Sequence, residues 1–164
     1  PPRSTLFPYT TLFRSLRVFE LNPDRVSLAR EIPVENPPRF TEGAFVHWRG
    51  GTYYLSYSHG GWQRSSYSVH YCTADSPTGP WTYRGAILSS DADFKGPGHH
   101  SFFQDPRNGA WWIAYHRWEN QTGDGPYRGQ RQLALDPISY DSAGLIRPIP
   151  MTGSRNRSET PDQP

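Results

Sequence analysis

One glutamate stands where a strand-like run begins, in a position from which its carboxyl group could do chemistry. Glu42 follows Phe40 and Thr41, precedes Gly43, and opens an apolar run. A carboxylate beside a glycine can face a cavity, because glycine permits close approach of backbone or ligand. A carboxyl group in aromatic surroundings can stay protonated and act as a general acid. The alternative is an exposed loop glutamate without a chemical role.

Histidines stand at the mouth of a second strand-like run. His99 and His100 follow the turn-forming Gly96-Pro97-Gly98 and precede apolar residues. Neighbours in a strand point to opposite faces, so only one of the two imidazoles can face inward, where it could hold a metal-bound water or a sugar hydroxyl. His116, in the run AYHRW, is a second candidate of the same kind. The alternative for each is a hydrogen-bonded structural histidine, and no partner stands at zinc-ligand spacing.

The elements that must position these residues are predicted to be strands. The 164 residues, enough for one domain, include 6 Trp, 10 Tyr and 8 Phe beside 15 Gly and 17 Pro. Aromatic runs separated by Gly and Pro turns are typical of an all-β protein. The hydrophobic fraction is only 34%. Disordered chains, however, are poor in aromatic residues, so low hydrophobicity does not indicate disorder here.

The order of the strand-like runs indicates a repeated unit. AFVHWR and TYYLSYS flank Gly50-Gly51, a strong hairpin signal, and SYSVHYCT and WTYRGAIL follow. A second series then reads HHSFFQD, WWIAYHRW, GQRQLALDPISYD and a short GLIRPI. No stretch shows a helical period. The sequence therefore predicts an all-β fold in which four-stranded units repeat, as in the blades of a β-propeller.

Charge and composition exclude two classes of partner. Residues 1–15 and 154–164 hold four of the 17 basic and two of the 15 acidic residues, so 13 of each remain between them. Without a basic excess we expect no nucleic acid partner. No apolar run approaches the roughly 20 residues of a membrane span, so we expect no membrane partner. Cys72 is the only cysteine, so no internal disulfide can form.

The two ends differ from the region between them. Residues 1–15, PPRSTLFPYTTLFRS, repeat TLF within nine residues and resemble the translation of sequencing-adapter DNA; the alternative is a short hairpin around Pro8. We expect the native part of this chain to begin at Leu16 and the true protein to begin upstream of it, so that this chain is a C-terminal fragment. Residues 153–164 contain no apolar residue and are predicted to form a disordered tail.

Five segments in a fixed order carry a resemblance to a known family. They are TEGAFVHWRGGTYYLSYS, YSVHYCTADSPTGPWTYRGAIL, GPGHHSFFQDP, WWIAYHRW and RQLALDPISYDSAGLIRPIPMT. Together, over residues 16–152, they resemble the C-terminal part of a glycoside hydrolase family 43 catalytic domain. The resemblance implies the last two to three blades of a five-bladed β-propeller. It also implies hydrolysis of O-glycosyl bonds in arabinose- and xylose-containing plant polysaccharides or oligosaccharides, of the α-L-arabinofuranosidase or β-xylosidase type.

The same resemblance implies roles for individual residues. Glu42-Gly43-Ala44 matches the Glu-Gly-Pro motif of the general acid, with Ala44 in place of proline. The segment 96–99 matches a Gly-x-Gly-His motif whose histidine, here His99, lies on the propeller axis, often in the hydration shell of a central Ca²⁺. Calcium prefers oxygen ligands, so such an ion would be weakly held. Arg131 resembles an arginine that reaches substrate hydroxyls, and we assign His116 to substrate binding with it.

The implied mechanism is inverting hydrolysis, in which a base carboxylate activates water opposite the acid. The family places the base and an acid-orienting aspartate far upstream of the acid. Asp24 lies in a turn-like segment, while Asp91 and Asp93 lie in an irregular loop, and none of the three is assigned a catalytic role. We therefore expect the intact protein to be a glycoside hydrolase and this chain alone to be inactive. Enzymes of this kind are usually exported, so we expect an extracellular or periplasmic protein.

Two other functions fit the same residues. A non-catalytic carbohydrate-binding protein could use Trp48, Trp62, Trp111 and Trp118 as stacking platforms. A scaffold propeller that binds other proteins would leave Glu42 without a role.

Overall fold

Nine β-strands and no helix form the part of the chain that the computed structural model describes, residues 15–153. The strands are β1 (Val18–Leu21), β2 (Leu28–Ile32), β3 (Glu42–Arg49), β4 (Thr52–His59), β5 (Ser68–Ala74), β6 (Thr82–Leu88), β7 (Phe94–Gln104), β8 (Trp111–Glu119) and β9 (Gln132–Pro137). The all-β prediction is confirmed. The predicted adapter-derived segment, apart from Ser15, and the predicted tail after residue 153 lie outside the described residues. Among residues 15–153 no helix could cross a membrane.

The strands form three antiparallel sheets that follow the chain order. A two-stranded first sheet contains β1-β2, a four-stranded central sheet contains β3-β4-β5-β6, and a three-stranded last sheet contains β7-β8-β9. The predicted hairpin joins β3 to β4, with Arg49 opposite Thr52. Gly50 and Gly51 both have positive φ, 58° and 88°, which a tight turn of this kind requires and glycine readily adopts.

Two apolar layers cover the two faces of the central sheet. The layer between the central and last sheets is built from Tyr54, Val69, Tyr71, Ile87, Leu88, Phe102, Ile113, Tyr115 and their neighbours. The opposite face packs Leu55, Tyr57 and Cys72 against Leu16, Phe40, Trp81 and Tyr83. Every residue of β5 is buried because the strand lies between β4 and β6 and both of its faces are covered. Antiparallel sheets packed face to face in chain order have the architecture of consecutive β-propeller blades.

The outer face of the last sheet is open. Leu133 and Leu135 on β9 are 69% and 40% exposed, and Phe103 on β7 is 42% exposed. These apolar side chains lie on the sheet face opposite the core, since Ala134 between the two leucines is buried. We call this surface, comprising Phe103, Leu133 and Leu135, the open face.

Three local features differ from the sequence prediction. Strands β1 and β2 were not predicted, because they are short and mostly exposed and so show no apolar alternation. The predicted GLIRPI strand is wrong. Only an isolated bridge joins Tyr140 to Ile146, since prolines at 148 and 150 have no N–H to donate to a ladder.

The third difference is that Gly96-Pro97-Gly98 lies inside β7 and is not a turn before it. The pairing with β8 shifts register twice, between Lys95 and Gly98 and again between Gly98 and Ser101. Bulges bend a strand without ending its ladder, and they are places where a proline is tolerated. The bend predicted from the two glycines is therefore a bulged strand.

Gly98 makes room for an aromatic ring. A Cβ at this position would lie 2.6 Å from Cδ1 of Tyr67 and closer still to Cε1. The φ angle of Gly98 is not in the left-handed region, so it is the space occupied by the Tyr67 ring that excludes a side chain here.

We expect Gly98→Ala to lower the free energy of unfolding by about 1–3 kcal/mol, because the methyl group forces the ring to move. Gly61→Ala is the matched control. Its backbone is also ordinary, and a Cβ there would meet only the Arg64 side chain, at 3.7 Å. We expect the control to change stability by less than about 0.5 kcal/mol. Urea unfolding of both variants measures the difference, and equal losses would contradict the prediction.

Three histidines are buried in these layers and hydrogen-bonded to hydroxyl groups. The pairs are His47 with Tyr140, 3.1 Å, His70 with Tyr83, 2.7 Å, and His100 with Ser56, 2.7 Å. Burial is the main cause that lowers the pKa of His47 and of His70 to about 4 and that of His100 to about 3. All three imidazoles are therefore neutral in the folded chain at neutral pH.

This gives stability a predictable pH dependence. The pKa values of these histidines are lower in the folded chain than the 6.5 of an unperturbed imidazole, so below pH 6.5 the unfolded chain takes up protons that the folded chain does not. The contribution of the three histidines to the free energy of unfolding is complete above about pH 6.5. It is lost as the pH falls towards 4, by up to about 1.4 kcal/mol per pH unit for each proton that only the unfolded chain binds. Urea unfolding between pH 7.5 and 4.5 measures the slope. His100→Asn should make the slope shallower, and an unchanged slope would refute the assignment.

Candidate functional site

Four residues predicted for the site lie near one another although they come from different strands. They are Glu42 at the start of β3, His99 in β7, His116 in β8 and Arg131 immediately before β9. The ring centroids of His99 and His116 are 6.4 Å apart. A Cβ on Gly43 would lie 3.6 Å from the His99 Cα, so the residue beside Glu42 packs against β7. The fold thus brings the predicted residues of both sheets together.

A β-bulge sets the direction of Glu42. Glu42 pairs with Ser58 and Phe45 pairs with Ser56, so Gly43 and Ala44 of β3 together lie opposite the single residue Tyr57 of β4. Gly43, the first of them, has a φ of 64°, a left-handed conformation that favours glycine. The left-handed backbone conformation at residue 43 therefore accounts for a glycine at this position of the motif. Glu42 itself is half-buried.

Tyr67, which the sequence analysis missed, is the hydrogen-bond partner of Glu42. Its hydroxyl group donates to Glu42 Oε1 at 2.5 Å. Its side chain is fully buried. Burial, and next the hydrogen bond to Glu42, raise the pKa of Tyr67 well above its usual value. Tyr67 therefore stays protonated and remains a donor. In the sequence Tyr67 is one of several aromatic residues in strand-like runs, within SYSVHYCT, and that signal is not specific enough to predict a site.

The adjacent histidines of β7 occupy different environments. His100 is buried and contacts Ser56. His99 is exposed, has a φ of 50°, and donates its backbone N–H to Ser58 Oγ at 2.8 Å. A positive φ is uncommon for a residue other than glycine. The bulged backbone thus holds the His99 side chain on the surface shared with His116 and Glu42.

Arg131 and His116 join His99 on the side of the site that the last sheet contributes. The Arg131 guanidinium lies 5.2 Å from the centroid of the Trp62 ring, within cation–π range. Trp62 is 46% exposed and stacks on Trp118 at 6.1 Å. Burial is the main cause that lowers the pKa of His116, and the charges of Arg131 and His99 add to it. His116 is therefore a neutral imidazole at neutral pH, able to donate from one nitrogen and accept at the other.

The residues present do not by themselves fit a calcium site. Across residues 15–153 no three His, Cys, Asp or Glu side chains are grouped so as to hold a metal ion. Calcium takes six to eight oxygen ligands, whereas His99 and His116 offer imidazole nitrogens. The role of His99 near a Ca²⁺ ion remains a prediction, and no chemical step is derived through the ion.

The aspartates that the sequence analysis set aside have structural partners. Asp24 Oδ1 accepts hydrogen bonds from the backbone N–H groups of Val26 and Ser27, as a turn aspartate does. Asp91 Oδ1 accepts in the same way from the N–H groups of Asp93 and Phe94. All three aspartates are exposed. Turn formation accounts for Asp24 and Asp91 without any chemical role.

Comparison with known proteins places this geometry in a family. The family model of "Glycosyl hydrolases family 43" matches residues 8–146. A β-D-galactofuranosidase from Aspergillus niger is 37% identical over 138 residues, covering 82% of this chain and 39% of the relative. An arabinoxylan arabinofuranohydrolase from Bacillus subtilis is 29% identical, covering 83% of this chain and 28% of the relative.

Solved structures agree with the sequence relatives. The α-L-arabinofuranosidase of Clostridium thermocellum superposes with a TM-score of 0.64 at 29% identity, covering 83% of this chain and 45% of that one. The chain spans between 24% and 39% of the length of the curated relatives that it matches. Its three sheets correspond to part of a five-bladed propeller. The resemblance carried by its motifs is confirmed, and the chain belongs to glycosyl hydrolases family 43.

Proposed function

We propose that this chain supplies the general-acid side of an inverting glycoside hydrolase, with Glu42 as the acid. The single observation that carries the proposal is the placement of the Glu42 carboxyl group. It is half-buried, held by Tyr67 at 2.5 Å, and set in the motif of a family whose relatives are glycosidases. We propose as substrates the arabinose- and xylose-containing polysaccharides or oligosaccharides named by several relatives.

The two carboxylate oxygens of Glu42 have different surroundings. Oε1 accepts the hydrogen bond from Tyr67, whereas nothing within residues 15–153 hydrogen-bonds Oε2. Oε2 is therefore the oxygen that can meet the glycosidic oxygen and transfer a proton to the leaving group. In an inverting enzyme the base lies about 6.5–9.5 Å away, across the scissile bond, and activates water. We propose that this base comes from outside the chain described here.

Arg131 and His116 are proposed to hold substrate hydroxyl groups. A guanidinium offers several donors in fixed directions, and the contact with Trp62 restricts where it can point. The neutral imidazole of His116 can donate to one hydroxyl group or accept from another. With Trp62 46% exposed beside them, the site combines polar groups with an aromatic surface, as sugar-binding sites do.

The complete protein that contains this chain should lose turnover when Glu42 is replaced. We expect Glu42→Gln to lower kcat for an unactivated arabinoside or xyloside by about a hundredfold to ten-thousandfold, because glutamine cannot transfer a proton. The matched control is Glu35→Gln, which alters an exposed loop glutamate outside the site. A Glu42→Gln variant that still hydrolyses at the unmodified rate would overturn the proposal. Sugar binding by the complete protein without any turnover would favour a binding protein instead.

The 164-residue chain by itself should be inactive. Removing one of two carboxyl groups that act together eliminates most of the activity, because acid and base are needed in the same step. Release of nitrophenol from aryl arabinofuranosides and xylosides, measured against the spontaneous rate, tests this expectation. Hydrolysis well above background would show that the chain contains its own base.

A further inference from the structure

We propose that Tyr67 is a positioning residue for Glu42, and that it determines which carboxylate oxygen carries the proton. This inference rests on the proposed role of Glu42 as the acid. It concerns a residue to which the family resemblance assigned no role, and it follows from the contacts of Tyr67 with Glu42 on β3 and Gly98 on β7.

The Tyr67 ring has little freedom to move. It is fully buried, and it occupies the volume where a Cβ of residue 98 would stand. Glycine at position 98 is what allows the ring to pack so close to the backbone of β7. The phenol oxygen is consequently held at one place, 2.5 Å from Glu42 Oε1.

The surroundings of the Tyr67 hydroxyl group fix the direction in which it donates. Among residues 15–153 its hydrogen-bond partner is Glu42 Oε1, at 2.5 Å. A buried hydroxyl group needs an acceptor for its hydrogen, and no other described residue supplies one to Tyr67. Tyr67 therefore donates to Oε1 and does not accept from it.

The direction of the Tyr67 hydrogen bond decides which carboxyl oxygen of Glu42 carries the proton. Oε1 is occupied as an acceptor from Tyr67, so a proton on the Glu42 carboxyl group is placed on Oε2. That is the oxygen without a hydrogen bond from the described part of the chain, and it is the one a glycosidic oxygen can reach. The titratable side chains around the pair are His99 on β7, His116 on β8 and Arg131 before β9.

The test is Tyr67→Phe in the complete protein, with substrates of two kinds. A glycoside with an alkyl or sugar leaving group needs proton transfer to the departing oxygen. The dinitrophenolate of a dinitrophenyl glycoside departs without it. We expect kcat/KM to fall about tenfold to a hundredfold for the first and less than about threefold for the second. Phenylalanine keeps the ring beside Gly98.

Tyr57→Phe is the matched control. Tyr57 is also fully buried, and its hydroxyl group donates to the Pro38 carbonyl oxygen at 2.6 Å, away from Glu42. It should affect both substrates equally. If Tyr67→Phe behaves like Tyr57→Phe while Glu42→Gln abolishes turnover, the positioning role is wrong and the proposed function stands. If Glu42→Gln retains turnover, the proposed function itself fails.

Gly98→Ala provides a second route to the same conclusion. It keeps the Tyr67 hydroxyl group, but the added methyl group would lie 2.6 Å from Tyr67 Cδ1, so the ring and its hydroxyl group must shift relative to Glu42. We expect the same preference for the activated substrate with a smaller loss, about threefold to tenfold. If Tyr67→Phe does not fold by circular dichroism, Gly98→Ala decides: equal losses on both substrates would overturn the inference.

Discussion

Face-to-face packing of the central and last sheets is the interaction on which the rest of the structure depends. The layer between them joins Tyr71 and Ile87 on one sheet to Phe102 and Ile113 on the other. This burial is what holds β3 beside β7, and no covalent link other than the connecting chain does so. Because Glu42 belongs to β3 and His99 to β7, the apolar layer sets the distance between the polar groups of the site. The apolar layer therefore positions the polar groups of the site although it contains none of them.

Glycines and β-bulges near the site set the directions of its side chains. The bulge after Glu42 and the two register shifts in β7 each interrupt a regular ladder near the site. A regular strand would alternate its residues strictly between the two apolar layers, and would leave few directions open to a polar side chain. Bulges next to active sites commonly re-aim a side chain. Gly43 allows such a bend through its φ angle, while Gly98 acts through the absence of a side chain.

Sequence alone predicted the strands that contain strong local signals, and it missed the features that depend on distant partners. The hairpin at Gly50-Gly51 and the runs of the central sheet follow from turn chemistry and aromatic content, which are local properties. The motifs around Glu42 and His99 could be matched to a family. Tyr67 could not be identified in that way, because its role arises from Glu42 and Gly98, which are 25 and 31 positions away in the chain. The GLIRPI segment was mispredicted because its apolar residues anchor in the core as single side chains, without forming a ladder.

The open face of the last sheet links the behaviour of the chain to its concentration. Phe103, Leu133 and Leu135 form an apolar surface at the edge strand β9 and its sheet, and an uncovered strand edge can pair with another chain. A partner that covers this surface binds the folded chain and not the unfolded chain, and it therefore stabilises the folded state by mass action. The melting temperature of the isolated chain would therefore rise with the concentration of any partner that covers the open face.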